Sequence, residues 1–573
     1  MLQTLFKFKG GLTLPHHKQE SAGTPIVAAP LPEQLVIPLS QSMGSAATPV
    51  VAVGDKVLKG QLIGRAEGWI SAAVHASTSG TVVALEPRPT PHPSGLSSLA
   101  VVIAPDGEDR WIERQRVDYQ TLSPEAVRQC LQEAGVVGLG GAAFPSHAKI
   151  RAQHPVADLL INGAECEPYI TCDDRLMRER ADEIVAGIGV LRDLLEPERI
   201  KIGVEDNKPE AIAALRAAIA AAGESFTVIV MPTRYPAGSL KQLARVLTGK
   251  EIPVNKLPAD LGLQSFNVAT AQAIWRAIQH GEPVVRRVVT LTGNVEQPGN
   301  WEVPIGMPIR DLLALARPKD DTDGILMGGP MMGIPLPTLD APIVKASNCL
   351  IARSPARFPA PSPEMPCIRC GACARACPQE LQPYELYWWS RAKQFDKAEA
   401  YSLANCIECG CCAYVCPASI PLVQYFRFAK GEIRARDREQ AAAEAARSRF
   451  EFRQFREARE KAEKAEKLAK AAAAQAEKAA AATKASAAEN VPTNPEASTP
   501  ANVVTTASAS DLPDAQTAKQ ALIAAALERA RAKKAGVGEG VASTTVANST
   551  TDEAPATLET VATAAAPEGE GGA

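Results

Sequence analysis

One cysteine pattern occurs twice within a short stretch of this chain. Cys367-Ile-Arg-Cys370-Gly-Ala-Cys373-Ala-Arg-Ala-Cys377-Pro is followed by Cys406-Ile-Glu-Cys409-Gly-Cys-Cys412-Ala-Tyr-Val-Cys416-Pro. Both copies have the form C-x2-C-x2-C-x3-C-P, in which three closely spaced thiolates can wrap three corners of an iron–sulfur cubane and the glycine lets the backbone approach it. A zinc site would use two Cys-x2-Cys pairs, and the doubled motif with its trailing prolines is too specific for that. The chain has 13 cysteines in 573 residues. Residues 1–8 hold too short an apolar stretch for a secretory signal, and Lys7 and Lys9 interrupt it. A reducing cytoplasm is therefore expected, where metal rather than disulfides accounts for the thiols.

The fourth cysteine of such a motif ligates the other cluster of a pair. One [4Fe-4S] cluster is accordingly assigned to Cys367, Cys370, Cys373 and Cys416, and the second to Cys406, Cys409, Cys412 and Cys377. A helical pattern over 384–404 separates the copies. It points to an α-helical two-cluster ferredoxin domain over 360–428 rather than the compact β-hairpin kind. Cys130, Cys349 and Cys411 are read as inert.

The remainder divides by rhythm into a multidomain α/β plus β chain. Residues 1–115 look like short strands and turns of a carrier-like barrel-sandwich, with a hairpin signal at 51–60 around Gly54-Asp55. A working carrier needs a lysine at its hairpin tip, and 64–86 has none, so a structural barrel is expected. Over 120–283, short apolar runs at 158–162, 200–205 and 226–231 alternate with a helix at 209–219, the signature of an α/β domain with a parallel sheet. A β-grasp-like module is expected over 284–345, with a helix at 309–316. A charged Ala/Glu/Lys/Arg helix follows at 430–484. A disordered Ala/Thr/Ser/Pro tail is expected at 485–573, with one transiently helical islet at 515–535. The tail is read as a solvated appendage. The net charge of −3 gives no reason to expect nucleic acid as a partner. No apolar run reaches the about 18 residues of a membrane span.

Three segments of the α/β domain carry candidate ligand residues. Gly138-Leu-Gly140-Gly141-Ala-Ala-Phe144-Pro-Ser-His-Ala-Lys149 could cradle a phosphate on backbone amides, with Lys149 supplying charge; a glycine-rich turn before a helix is also common without a ligand. Asn162-Gly-Ala-Glu165-Cys-Glu167-Pro leaves the first strand with two carboxylates, which a solvated loop would equally explain. Asn267-Val-Ala-Thr270 precedes a helix, and Asn267 could be simply its N-cap.

Together these segments resemble the G-x-G-G-A-G-F-P-T, N-A-x-E-x-E-P and N-V-E-T motifs of the NADH- and FMN-binding subunit family of respiratory complex I. The order of parts, from Gly10-Gly11-Leu-Thr-Leu-Pro15-His-His-Lys18 through barrel, flavin-type domain, β-grasp and paired cysteine motifs, resembles the C subunit family of the Rnf (Rsx) electron-transport complexes over about residues 5–430. The resemblance implies FMN and NADH at Gly138, Gly140, Gly141, Lys149, Asn162, Glu165, Glu167 and Asn267. It also implies membrane-bound partner subunits, a ferredoxin-like carrier, coupling to ion movement, and a peripheral place on the cytoplasmic face of the bacterial inner membrane. Ala143 stands where the complex I loop has glycine, and its methyl is expected to narrow the flavin cleft. Ala269 stands where that family has an acid, and Tyr169 replaces a glycine. Two other readings are a flavin-free iron–sulfur relay and a soluble flavin dehydrogenase.

Overall fold

The computed structural model describes residues 5–150, 155–254 and 256–487. The chain divides into two units, Met1–Glu457 and Ala458–Ala573, and the domains below all belong to the first. In the N-terminal domain, Leu35–Pro38, Ser97–Pro105, Gly80–Pro89 and Lys56–Val57 form one antiparallel sheet in that order, and Thr48–Pro49, Leu62–Arg65 and Val74–His75 form another. Leu35, Ile37, Ile63, Val82, Val101 and Ile103 are buried between them. The flanks of the hairpin expected at 51–60 do pair, Thr48–Pro49 with Leu62–Arg65, but within it Lys56–Val57 pairs with Gly80–Pro89 rather than with the residues before the Gly54-Asp55 turn. The Gly54-Asp55 turn, with Gly54 at φ +97°, is pinned instead to Val82. Gly54 N donates to Val82 O and Val82 N to Asp55 O, both at 2.8 Å.

The α/β domain holds four parallel strands in the order Thr227–Met231, Arg199–Glu205, Asp158–Gly163, Leu263–Asn267. Leu159, Leu160 and Ile161 are all buried, as a strand covered on both faces requires. The fourth strand is hard to see in the sequence, because Leu-Gln-Ser-Phe-Asn offers only two apolar side chains and no β-branched one, unlike the other three. Asn162 and Asn267 are register partners at the carboxyl ends of neighbouring strands, the end at which parallel sheets hold ligands.

A third sheet has the order Val27–Ala28, Gly299–Pro304, Arg286–Gly293, Cys349–Arg353, Gly324–Met327, Ile334–Pro335, with the helix Ile309–Ala316 beside it. It takes in an N-terminal strand and runs past residue 345, because the apolar Cys349–Arg353 completes it in parallel with Arg286–Gly293. Short helices Ala372–Ala376, Pro383–Arg391, Phe395–Ala400 and Cys411–Tyr414 build the cysteine domain. Helix Leu422–Ala487 leaves it and is exposed at every described side chain from Arg434 onward. Among the described residues no helix is long and apolar enough to cross a membrane. The tail at 488–573, with the islet at 515–535, lies outside the described residues.

Lys345 ties the barrel to the α/β domain. Its buried ammonium donates to Ala73 O at 2.8 Å and Gly135 O at 2.7 Å, and burial pushes its pKa down to about 7 from 10.5. Between those values the unfolded chain holds a proton that the folded chain has released, so the contribution of Lys345 to stability rises with pH from about 7 to 10.5. Denaturant unfolding of the wild type and Lys345→Met between pH 6 and 9 should show the difference moving toward the wild type above pH 7. The expected slope approaches about 1.4 kcal/mol per pH unit.

Candidate functional site

The carboxyl ends of the parallel strands open on a cleft of about 650 Å³. Gly138, Gly140, Gly141, Lys149, Asn162, Glu165, Glu167 and Asn267 all line it, although they come from three separated segments. At its glycine-rich wall, the amides of Leu139 and Ala143 are taken by Thr270 Oγ1 and Gly138 O. Those of Gly140, Gly141 and Ala142 find no protein acceptor among the described residues. Gly141 has φ +103°, and a Cβ there would meet open space. Lys149 projects from the short helix Ser146–Ile150. Its Nζ donates to Ser265 O at 3.2 Å and lies 5.5 Å from the centre of the Phe266 ring. No carboxylate pairs with it among the described residues, and burial pulls its pKa down. Free amides beside a desolvated, unneutralised cation fit a phosphate group.

Ala143 does not narrow this cleft. It sits at φ +46°, which explains the glycine of the complex I loop, and its methyl is buried in the main core. Ala269 likewise lines a separate cavity beside Arg180 and Arg276, so the missing acid would not face the cleft.

The two carboxylates of the acidic segment have different duties. Glu167 Oε1 accepts from the amides of Met331 and Met332, both at 2.8 Å; it pins the loop at 328–333 over the cleft mouth. Gly329 is required there, since a Cβ would lie 1.9 Å from Glu167 Cγ. Glu165 Oε1 accepts from Asp173 N at 2.8 Å, and burial raises its pKa to about 7 despite Lys18 Nζ at 3.8 Å. Asn267 does cap its helix, accepting from Ala269 N at 2.8 Å, and its Nδ2 also donates to Asp173 Oδ2 at 2.6 Å. Asn162 Nδ2 donates to Gly238 O at 2.9 Å, closing the cleft wall.

Several cleft contributors carry no motif. Lys18 is buried and donates to the carbonyls of Glu165 (2.7 Å), Glu167 (3.1 Å) and Ile170 (2.5 Å), so the whole acidic loop is built around one ammonium. Its place in the N-terminal segment Gly10 to Lys18 is the one signal the sequence offers for it. Tyr235 also lines the cleft, and its hydroxyl donates to Cys409 O at 2.6 Å.

The eight motif cysteines surround two small cavities. Cys367, Cys370, Cys373 and Cys416 line one, and Cys377, Cys406, Cys409 and Cys412 line the other, the crossed grouping expected from the spacing. The repeat extends to the backbone: Arg369 and Glu408 have φ +53° and +57°, Gly371 and Gly410 +74° and +80°, and Glu380 and Ser419 +55° and +51°. Such matched left-handed turns curl each thiolate set around one centre, and a four-thiolate cavity of this spacing fits a cubane cluster. The second cavity is proximal to the cleft. Cys409 packs with Tyr235 and Met331, and a Cβ on Gly410 would lie 2.8 Å from Met331 O. The first is distal, with Cys370 exposed.

Four family models match in chain order: the RnfC barrel sandwich hybrid domain over 6–108, the Nuo51 FMN-binding domain over 131–276, the SLBB domain over 288–335 and a 4Fe-4S dicluster domain over 366–420. The C subunit of the ion-translocating oxidoreductase complex of Pectobacterium carotovorum subsp. carotovorum is 51% identical over 454 residues, covering 78% of this chain and 60% of that protein. Its counterpart from Salmonella gallinarum is 50% identical, covering 78% of this chain and 67% of that one. The chain belongs to this C-subunit family. It spans 60 to 67% of the length of these relatives. Among solved structures, an air-oxidised NAD+-reducing [NiFe]-hydrogenase matches at 21% identity over 48% of this chain and 54% of that one, with a TM-score of 0.39. In the family's terms, the eight candidate residues of the cleft fall in the FMN-binding match and the eight motif cysteines in the dicluster match.

Proposed function

We propose that this chain accepts electrons from NADH at FMN in the cleft and passes them through two [4Fe-4S] clusters to the other members of an ion-translocating, membrane-bound complex. Family membership supports this reading, and one observation carries it. Tyr235 lines the cleft and holds the carbonyl of Cys409, so the flavin site and the proximal cysteine site share a wall. FMN supplies, when bound, a carrier that takes electrons in pairs and releases them singly.

The chain's own contribution is placement. Lys149 and the amides of Gly140, Gly141 and Ala142 would neutralise the phosphate. Glu167 would keep the loop at 328–333 closed over the ring side of the cleft and exclude water. Glu165, titrating near pH 7, would hold a proton on its carboxyl beside the site. Contact with the membrane would come through partner subunits at the cytoplasmic face, and a ferredoxin-like carrier would be the other redox partner. The flavin-free relay reading rests on Ala143 and Ala269, and neither methyl lies in the cleft. Anaerobic reconstitution with iron, sulfide and FMN tests the assignment. About eight irons per chain with tightly held flavin are expected; iron without any flavin uptake would return the relay.

A further inference from the structure

The segment at 9–18, outside every cofactor motif, runs between the cleft and the cysteine domain and is bonded to both. On the cysteine side, Gly11 N donates to Ala376 O at 2.9 Å and Lys9 Nζ to Glu380 Oε2 at 2.7 Å. A Cβ on Gly10 would lie 2.4 Å from the carbonyl oxygen of Cys377, a motif cysteine of the proximal cavity. On the cleft side, Leu12 and Tyr235 exchange amide hydrogen bonds at 2.8 and 2.9 Å, and Arg234 donates to Gly10 O. A Cβ on Gly11 would lie 2.6 Å from Tyr235 O. Further along, His16 O accepts from Tyr169 N at 2.9 Å, and Lys18 gathers the carbonyls of the acidic loop. Gly10 and Gly11 have φ +64° and +72°, so each needs glycine both for its backbone and for the closeness of its neighbour. The helix Leu240–Thr248 also reaches the cysteine domain, through Gln242 Nε2 to Pro378 O and Lys241 Nζ to Asn405 Oδ1, both at 3.1 Å, and an Arg245–Glu380 ion pair at 3.6 Å.

We infer that residues 9–18 are a positioning strap that sets the separation between the flavin cleft and the proximal cysteine site, with Gly10 and Gly11 fixing its register. A loop needed only to begin the barrel would have no reason to touch Cys377 and Tyr235 through two adjacent glycines. Electron transfer falls steeply with distance, so the strap governs how fast the cluster responds to the flavin without touching either. This rests on the reading of the cleft and cysteines given above.

The test uses the full reconstituted chain carrying Gly10→Ala or Arg234→Ala, with Gly223→Ala as control, since Gly223 shares the left-handed φ (+67°) but has open space around its Cβ. Two readouts are taken: rapid mixing with NADH, following flavin and cluster absorbance separately, and amide hydrogen exchange. Both strap variants should keep their iron and bleach flavin at the wild-type rate, yet reduce the clusters about ten- to a hundredfold more slowly. The amides of Gly11, Leu12 and Tyr235 should exchange faster, and the control should match the wild type. Should Gly10→Ala lose iron, Arg234→Ala, which adds no bulk, decides on the same readouts. Cluster reduction at the wild-type rate in variants that retain both cofactors would overturn the strap. A wild type that takes up no FMN would instead sink the proposed function; unchanged exchange at those three amides would then still overturn the strap.

Discussion

Cys377→Ser should remove the same cluster as Cys409→Ser, although the two residues belong to different copies of the motif. Each variant is expected to fall from about eight to about four irons per chain and to keep the spectroscopic signature of the distal cluster. Cys370→Ser should remove the complementary half. The grouping of the thiols around two cavities dictates the pairing. Loss of the proximal cluster should also be the more damaging change, because its cavity packs against Tyr235 and Met331 while the distal one opens at exposed Cys370. Flavin in Cys409→Ser should still bleach with NADH, but the distal cluster should stay oxidised. Iron analysis and electron paramagnetic resonance of the reduced proteins check both halves. A Cys377→Ser protein that loses the distal signal instead would contradict crossed ligation.

Lys149→Ala should weaken FMN binding by about ten- to a hundredfold, the range for one charge-assisted hydrogen bond. The reason is electrostatic. The ammonium is desolvated and has a carbonyl and a ring for company and, among the described residues, no acid, so an arriving phosphate gains an unshielded partner. The same fact sets the sign of a second readout. Removing an uncompensated buried charge relieves the apoprotein, so the apo variant should unfold no earlier than the wild type even as flavin affinity drops. Fluorescence titration with FMN and thermal unfolding without it separate this from general damage to the loop.

The parts of this molecule differ in how far the sequence exposes them, and the reasons are physical. The motif cysteines are legible because each copy is local: three cysteines fall within seven residues and a fourth, grouped with the other copy's three, follows by a fixed step. The three conspicuous strands of the parallel sheet are legible from their short apolar runs, whereas Leu263–Asn267 is not. The cleft residues lie far apart in sequence, and only resemblance joins them; their convergence follows from the register that sets Asn162 opposite Asn267. Ala143 misleads because a one-residue change of direction, at positive φ, turns its methyl from the cleft to the core. Tyr235 and Gly329 leave no trace as site residues, and Lys18 only its place in the segment Gly10 to Lys18. They act on backbone carbonyls and by closeness of approach, and no sequence pattern marks a lysine that organises carbonyls.

The Glu167 contacts sharpen that point. A carboxylate next to a flavin-type loop invites a role in binding, yet its oxygen is occupied by two amides of the loop at 328–333. Its service to the cleft is to hold the lid-like loop that also packs on Gly410, so one side chain braces both sites.

Whether electrons enter at the cleft and leave through the clusters is decided by titrating the anaerobic reconstituted protein with NADH while recording flavin and cluster absorbance together. Flavin and clusters should both bleach, with the flavin leading in time and the clusters filling as NADH is added. Clusters that dithionite reduces but NADH leaves oxidised, in a protein that holds FMN, would contradict that route.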